Sequence, residues 1–254
     1  MNTETEILDP ISERRLSGVA RLYGEEIYAL LQRSHVVVVG LGGVGSWAAE
    51  ALARSAIGEL TLIDFDHVSI SNTNRQLHAL DGEFGKSKVD VMAQRLRLIN
   101  PHLKIHCIDD FLKPDNLDQY LIEGVPVLDA MDDVTSKLAL ATWCHKSQTP
   151  LIVSGGAGGK MDPTQIEVAD LSKSTHDPML AKIRASLRQQ YGFEKDPKKK
   201  MHVRVVFSSE PRMGVSSGGL SCAGYGSTIM VTATFGFVAA SEIIQQIIAL
   251  HKSI

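Results

Sequence analysis

The chain has 254 residues, of which 44% are hydrophobic and 22% are charged, and its formal net charge is −3. These values are typical of a globular protein of one or two domains and exclude a disordered chain. They also exclude a uniformly basic nucleic-acid-binding protein, so a polyanionic partner would need a local basic patch.

Residues 1–34 are predicted to form an N-terminal helical arm, because apolar side chains at Leu22, Ile27 and Leu31 follow a rough helical spacing. Strand-like and helix-like runs then alternate along the chain, which predicts a doubly wound, Rossmann-like α/β sheet with helices on both faces. The predicted strands lie at 35–39, 59–64, 103–108, 125–129 and 150–153, and the predicted helices at 43–55, 86–99, 114–123 and 132–147.

The pattern changes after this alternation, so we divide the chain into the arm, a core at 35–160 and an appended C-terminal part at 161–254. The C-terminal part is predicted to contain strands at 165–168 and 203–207, an amphipathic helix at 179–191 and a final helix. Residues Ile229 to Leu250 are largely apolar, but Glu242 and several polar side chains interrupt them. We therefore expect a buried or dimer-interface helix and no membrane span.

Cysteine usage and the N-terminus bear on location. The three cysteines are scattered and form no CxxC pair, which indicates reduced thiols and excludes a four-cysteine zinc site within the chain. The N-terminus is polar and acidic, unlike a signal peptide. We therefore expect a cytoplasmic protein.

A glycine turn between two apolar strands indicates nucleotide binding. Gly42, Gly43 and Gly45 follow a run of valines, and an alanine-rich helix comes next. Such glycines allow a tight turn and a close approach of phosphate oxygens to backbone N–H groups at a helix N-terminus. Asp64, about 20 residues further on, is placed to bind a ribose hydroxyl. The stretch predicts a site for an adenine nucleotide.

Downstream residues favour ATP over a redox dinucleotide. Arg75 and Lys88 add positive charge to the same pocket, and carboxylates at 129–133 could hold Mg²⁺. This combination suits phosphoryl or nucleotidyl transfer, in which cations stabilise charge on phosphate oxygens. The segment Gly85-Lys86-Ser87 imitates the end of a Walker A loop, but Leu80 stands where that motif needs its first glycine.

In their order and spacing, these motifs resemble the adenylating domain of the ubiquitin-activating-enzyme superfamily over residues 35–135. They read GLGGVG, DxD, SNxxRQ, GxxK before a helix, and DAxD. Four further segments resemble the tRNA threonylcarbamoyladenosine dehydratase family and extend the resemblance over most of the chain: NTNRQLHAL, GGAGGKMDPTQIEVADLSKSTHDPM, VFSSE and CAGYGSTIMVTATFGFVA. The zinc-binding cysteine pairs of the sulfur-carrier activators are absent. The segment from Glu210 to Cys222 is shorter than the dehydratase pattern suggests.

The resemblance implies ATP and Mg²⁺ as cofactors, with a monovalent cation as a further expectation. Asp64 would bind the ribose and Asp132 the metal. Arg21 would bind the phosphates of the nucleotide that is held by a partner subunit. The implied nucleotide-binding residues are Gly42, Gly43, Gly45, Asp64, Asn72, Arg75, Gln76, Lys88 and Arg21. The implied catalytic residues are Arg75, Lys88, Asp132 and Cys222.

Plainer interpretations stay open for several of these residues. Asp64 could be a structural carboxylate, Arg75 could form a surface salt bridge, and Asp132 could cap the helix that follows it. Cys222 could be a thioester-forming nucleophile or a small buried hydrophobe. The basic run at 195–200 could contact RNA phosphates or simply be a solvated loop.

The histidines show no metal-ligand spacing. We expect His67, His78 and the others to be hydrogen-bonded or solvated.

The implied reaction is an ATP-dependent dehydration of threonylcarbamoyladenosine in tRNA through an acyl-adenylate. The implied partners are that tRNA, a second copy of the chain and cysteine desulfurase sulfur-relay proteins. Two alternatives remain: an adenylating activator of a ubiquitin-like sulfur carrier, and a non-catalytic nucleotide-binding scaffold.

Overall fold

A computed structural model describes residues 10–211 and 225–252, which form one mixed sheet flanked by helices. The strands are β1 (His35–Val39), β2 (Glu59–Ile63), β3 (Lys104–Ile108), β4 (Val127–Asp129), β5 (Leu151–Ser154), β6 (Ile166–Asp170) and β7 (Arg204–Ser208). The α-helices are α1 (Pro10–Tyr23), α2 (Glu25–Gln32), α3 (Gly45–Arg54), α4 (Lys88–Ile99), α5 (Leu117–Tyr120), α6 (Val134–Lys146), α7 (Pro178–Gln190) and α8 (Ile229–His251).

The strand order is β3-β2-β1-β4-β5-β7-β6, and every neighbouring pair is parallel except β6 and β7. This confirms the predicted doubly wound α/β fold. Strand β1 lies between β2 and β4, with Val37 opposite both Thr61 and Val127. The strand order changes direction at this point, and ligands of such sheets bind in the crevice at the carboxyl ends of the strands.

The C-terminal residues continue the same sheet. Strand β7 pairs with β5 in parallel, and β6 then pairs with β7 as an antiparallel edge strand. The predicted strands at 165–168 and 203–207 therefore exist, and they extend the sheet that begins at residue 35. The division of the chain into three parts stays a prediction.

The helix predicted at 114–123 forms only a four-residue helix, α5. The side chain of Asn116 accepts a hydrogen bond from the Lys113 N–H and donates one to the Phe111 carbonyl. These bonds fold the chain into a turn up to residue 116, and Leu121 is already extended. A side chain that bonds its own backbone competes with helix formation in this way.

Both faces of the central strands are buried, as expected for a parallel sheet between two helical layers. One face carries Val36 and Val38, which pack in a cluster with α3 and α8. The other carries Val37 and Val39, which belong to the cluster that contains the apolar faces of α6 and α7.

Helix α8 closes one of these layers. By length and composition it is the single helix of the described chain that could cross a membrane, yet half of its apolar window is buried inside the protein. It crosses α3 closely at Gly236, where an added Cβ would come within 2.5 Å of the Val44 carbonyl oxygen and 2.9 Å of the Ala48 nitrogen. The final helix is thus packed against the segment that follows the glycine turn.

Candidate active site

The glycine turn joins β1 to α3 at the carboxyl edge of the sheet. A Cβ at Gly45 would overlap the Gly40 carbonyl oxygen, so the turn cannot close over any other residue. At Gly43 a Cβ would lie 3.2 Å from the side chains of both Arg75 and Thr232. No side chain caps the start of α3. The Ser46 N–H already donates to the Gly42 carbonyl at 3.2 Å. The remaining N–H groups of the first turn and the helix dipole can attract an anion.

Asp64 follows β2 and faces the same pocket. Its Oδ2 accepts a hydrogen bond from the Leu41 N–H at 2.5 Å, and its Oδ1 accepts one from the Asp66 N–H at 2.8 Å. Burial raises the pKa of Asp64, and the nearby Lys88 ammonium opposes this rise. The backbone bonds fix the direction of the carboxylate and link it to the glycine turn.

Lys88 begins α4 and is almost fully buried. Its Nζ lies 2.7 Å from Asp66 Oδ2 and 3.7 Å from Asp64 Oδ1. Lys86, by contrast, is exposed and pairs with Glu83 at 3.1 Å. The preference for Lys88 over Lys86 therefore agrees with the geometry, because only Lys88 lines the pocket.

Two aromatic rings form a wall beside Asp64. Phe65 and Phe111 stack with centroids 4.6 Å apart and an interplanar angle of 28°, and both rings are about half exposed. Neither ring was predicted from the sequence to belong to the site, although each follows shortly after the end of a strand. A flat apolar wall next to a ribose-binding position suits a planar base.

The loop at 71–76 supplies polar groups from the opposite side. The Asn72 Oδ1 accepts a hydrogen bond from the Ser69 N–H at 3.0 Å, which fixes the loop. Arg75 donates to the Ser71 carbonyl at 2.8 Å and to Asn74 Oδ1 at 3.0 Å. Within the described ranges Arg75 has no carboxylate partner. The alternative of a surface salt bridge therefore finds no support among these residues.

Gln76 is buried at the pocket wall. Among the residues that the structure describes, its Oε1 has no hydrogen-bond partner.

Asp132 and Asp133 divide the two roles that the sequence left open for Asp132. The carboxylate that caps α6 is Asp133, whose Oδ2 accepts a hydrogen bond from the Ser136 N–H at 2.6 Å. Burial, the largest single cause, would raise the pKa of Asp133. Its hydrogen bonds with Ser136 and Thr135, together with the charge of Lys182, outweigh burial, so the pKa is lowered. Asp132 is exposed on the pocket wall. The helix-cap alternative for Asp132 is wrong, and its carboxylate stays available to a cation.

A buried ion pair lies beneath this loop and was not predicted. Lys137 Nζ lies 3.0 Å from Asp129 Oδ1, and both side chains are fully buried. The ammonium also donates to the Ser154 carbonyl at 2.8 Å, and the same Asp129 oxygen accepts the Met131 N–H at 3.0 Å. The pair thus joins the ends of β4 and β5 to α6. In the sequence Lys137 resembles an ordinary solvated lysine of a helix.

The loop after β5 forms the far wall and also escaped prediction. Asp177 caps α7 through the Leu180 N–H and accepts the Gly156 N–H at 2.8 Å, so it holds the glycine loop in place. Lys160 is buried and donates to the carbonyls of His176, Ser208 and Glu210.

These walls enclose a cavity of about 460 Å³. It contains eight of the predicted residues: Gly42, Gly43, Asp64, Asn72, Arg75, Gln76, Lys88 and Asp132. Gly45 lies at the start of α3 behind the turn. Arg21 is exposed on α1, where it donates to Ser17 Oγ at 3.1 Å, and it does not line this cavity. Cys222 lies outside the described residues.

The histidine prediction is wrong for His78. Its side chain is 1% exposed, and within the described part of the chain neither ring nitrogen has a hydrogen-bond partner. Burial, together with the charge of Lys88, lowers the pKa of His78 to about 4. His67 is exposed, as predicted.

The fold and this pocket define a nucleotide-binding protein of the Rossmann type, and the chain belongs to the ThiF family, whose model matches residues 14–253. It is 47% identical over 245 residues to tRNA threonylcarbamoyladenosine dehydratase of Haemophilus influenzae, with 93% of this chain and 94% of that protein covered. The same identity is found over 252 residues with the Escherichia coli dehydratase, again covering 93% and 94%. The crystal structure of E. coli tRNA N6-threonylcarbamoyladenosine dehydratase, TcdA, in complex with ATP superposes with a TM-score of 0.90 at 46% identity, covering 97% of this chain and 99% of that one.

Proposed function

We propose that this protein is an ATP-dependent enzyme that dehydrates threonylcarbamoyladenosine in tRNA through an acyl-adenylate. One observation carries the proposal: Arg75, Lys88 and Asp132 line a single cavity at the point where the strand order changes direction. The similarity to the dehydratases over 93% of the chain supports the choice of substrate.

In this proposal each wall of the cavity binds one part of the nucleotide. Asp64 accepts hydrogen bonds from the ribose, and the base stacks on Phe65. The turn at Gly42, Gly43 and Gly45 places backbone N–H groups on the phosphates. The side chains of Asn72, Arg75, Gln76 and Lys88 surround the triphosphate and stabilise charge that develops during the reaction.

The chemistry requires little from a protein-borne base. The threonyl carboxylate attacks the α-phosphate of ATP, an acyl-adenylate forms and pyrophosphate leaves. The carbamoyl group of the same side chain then attacks the activated carbonyl, AMP leaves and a ring closes, with a net loss of one water. Because this second nucleophile is tethered to its target, its attack needs no bimolecular encounter.

Asp132 fits a magnesium site that is completed by the nucleotide. Mg²⁺ in such enzymes is held by one or two carboxylates together with substrate phosphates. The described residues contain no cluster of three or more metal-binding side chains, which a site built from protein groups alone would need. Bound Mg²⁺ would neutralise charge on the phosphate oxygens. A monovalent cation is a further proposed cofactor.

We propose that the protein is a homodimer in which Arg21 contacts the nucleotide phosphates bound by the partner subunit. It lies on the exposed side of α1, outside the cavity of its own chain. Helix α8 also exposes Met230 and Phe237, at 60% and 48%, as an apolar surface for a second copy. If Arg21 acts on the partner's phosphates, mixing inactive Arg21→Ala and inactive Lys88→Ala subunits restores about a quarter to a half of the activity, since one mixed site keeps both residues. Mixed dimers without activity would exclude the role in trans.

Cys222 is proposed as a catalytic residue on the resemblance alone. A cytoplasmic location and contact with cysteine desulfurase sulfur-relay proteins complete the proposal. A Cys222→Ser variant with unchanged turnover would remove the cysteine from the mechanism.

Two alternatives are less well supported. An activator of a sulfur carrier would lack its zinc-binding cysteine pairs here, because the chain has only three scattered cysteines. A non-catalytic scaffold has no need for Lys88, Arg75 and Asp132 around one cavity.

The decisive experiment is incubation of the purified protein with Mg-ATP and tRNA that carries threonylcarbamoyladenosine. We expect the digested nucleoside to lose the mass of one water, with one pyrophosphate released per nucleoside. Pyrophosphate exchange that requires a carrier protein instead of tRNA would support the sulfur-carrier activator. ATP binding without either reaction would support the scaffold.

A further inference from the structure

The cavity has two ends, and the nucleotide accounts for one of them. Asp64 and Phe65 lie at the end of β2, whereas Ser154 and the loop to Ala157 lie at the end of β5. Three strand spacings separate β2 from β5, a distance of about 14 Å. With the ribose at Asp64 and the phosphates on the glycine turn, the β5 end remains for the nucleoside that reacts. This step rests on the proposed function.

Helix α7 starts at that open end. Its cap, Asp177, also holds Gly156 at 2.8 Å, and Met179 in its first turn lines the cavity. One turn later, Lys182 is exposed. Its charge helps to lower the pKa of Asp133 at the edge of the cavity, so the two side chains interact electrostatically. From there the 13-residue helix runs for about 20 Å away from the site.

The surface along α7 is strongly basic. Residues 178–200, which form α7 and the loop after it, carry seven lysines and arginines but two aspartates and glutamates, in a chain whose formal net charge is −3. Alongside the second half of the helix, Ala185, Arg188, Gln189 and Lys195 line a shallow groove of about 550 Å³. A polyanion that left the open end of the cavity would meet this surface.

The lysines of the following loop are free to meet an anion. Glu194 Oε1 accepts the Asp196 N–H, and Asp196 Oδ1 accepts the Lys198 N–H, both at 2.9 Å, so these carboxylates are engaged in the loop backbone. Lys198 and Lys200 are exposed and have no ion-pair partner in the ranges that the structure covers. Lys199 is 3.8 Å from Glu194 but stays 67% exposed.

We propose that the tRNA strand flanking the reacting nucleoside lies along the exposed face of α7, from Lys182 to the lysine loop at 195–200. Cationic side chains along the helix and its loop would bind successive phosphates and lead the backbone away from the β5 end of the cavity. Phosphate contacts of this kind position the substrate without reading its sequence.

A charge-matched pair of variants tests this path. The first replaces Lys198, Lys199 and Lys200 with glutamine; the control replaces Arg97, Lys104 and Lys252, three exposed cations on α4, on β3 and after α8. Affinity for the modified tRNA is measured at several salt concentrations, and ATP affinity is measured by titration.

We expect the loop variant to lose about tenfold or more in tRNA affinity at physiological salt, and its slope of log K against log salt to flatten by about 2. Its ATP affinity stays unchanged, and the control variant keeps both affinities within about twofold. Wild-type tRNA affinity and slope in the loop variant, or an equal loss in the control, would overturn the path. A wild-type protein that binds tRNA through this loop but forms no dehydrated nucleoside would instead refute the proposed function alone.

Discussion

Two lysines are buried at the carboxyl edge of the sheet, and each pairs with an aspartate, yet the surroundings of the two pairs differ. Lys137 and Asp129 are both fully buried, and Lys137 also binds the Ser154 carbonyl. Lys88 pairs with Asp66, whose side chain is 61% exposed on the cavity, and also lies 3.7 Å from Asp64, whose side chain is 9% exposed. The closed pair can only hold strand ends together, whereas the open pair can exchange its carboxylate for another anion. Exposure of a partner carboxylate, not burial of the lysine, separates the pair that can only be structural from the pair that is open to a ligand.

The largest expected effect comes from breaking the closed pair. Replacing Lys137 with methionine leaves Asp129 as a buried charge without its partner, which should lower the free energy of unfolding by about 3–5 kcal/mol. Denaturant unfolding measures this loss. The double variant Asp129→Asn/Lys137→Met removes both charges and should recover most of the stability. A loss below about 1 kcal/mol in the single variant would show that the pair is not structural.

Breaking the open pair should affect turnover instead. In Lys88→Met the carboxylate of Asp66 faces water, and that of Asp64 keeps its hydrogen bonds from the Leu41 and Asp66 N–H groups. The stability loss should therefore be smaller than for Lys137→Met. The rate of dehydration should fall by about 10²- to 10³-fold, because a cation at the phosphates is lost. The matched variant Lys86→Met, which removes an exposed lysine two residues away, should keep its rate. Equal losses in the two variants would contradict the assignment of Lys88.

Acid should lower the stability of the protein through His78, which lies near Lys88. The folded-state pKa of His78 is lowered to about 4 from 6.5, so below about pH 6.5 the unfolded chain binds a proton that the folded chain rejects. The free energy of unfolding therefore falls as the pH decreases, by about 2 kcal/mol from this group between about pH 7 and about pH 4.5. A His78→Phe variant should lose that part of the pH dependence. An unchanged pH profile in this variant would show that His78 is not the responsible group.

The smallest effects distinguish two neighbouring carboxylates. Asp133→Ala removes the cap of α6 and should cost about 1 kcal/mol of unfolding free energy. Asp132→Ala should leave stability unchanged, raise the Mg²⁺ concentration needed for half-maximal activity and slow the reaction. A reversed pattern would return the cap to Asp132.

Local signals were sufficient to predict the central sheet. Valine runs, the glycine turn and Asp64 lie within 31 consecutive residues, and their spacing alone predicts β1, α3 and β2. The motifs at 71–76 and 85–88 likewise led to Arg75 and Lys88, because each motif is short and the fold brings strand ends together.

The parts that escaped prediction depend on distant contacts. Lys137 is polar and lies in a helix, and only the burial of α6 against β4 and β5 turns it into the partner of Asp129. Nothing near His78 in the sequence indicates that its ring is buried beside Lys88. The order β5-β7-β6 also depends on long-range pairing, since β7 inserts between two strands that precede it in the chain.

The contact between α3 and α8 has a consequence for synthesis of the protein. Thr232 of α8 stands against Gly43, and Gly236 lies on the backbone of Val44 and Ala48. A ribosome-bound chain that has not yet produced α8 therefore carries the glycine turn without the helix that packs against it. Nucleotide affinity should therefore appear only after α8 has been synthesised and has packed against α3.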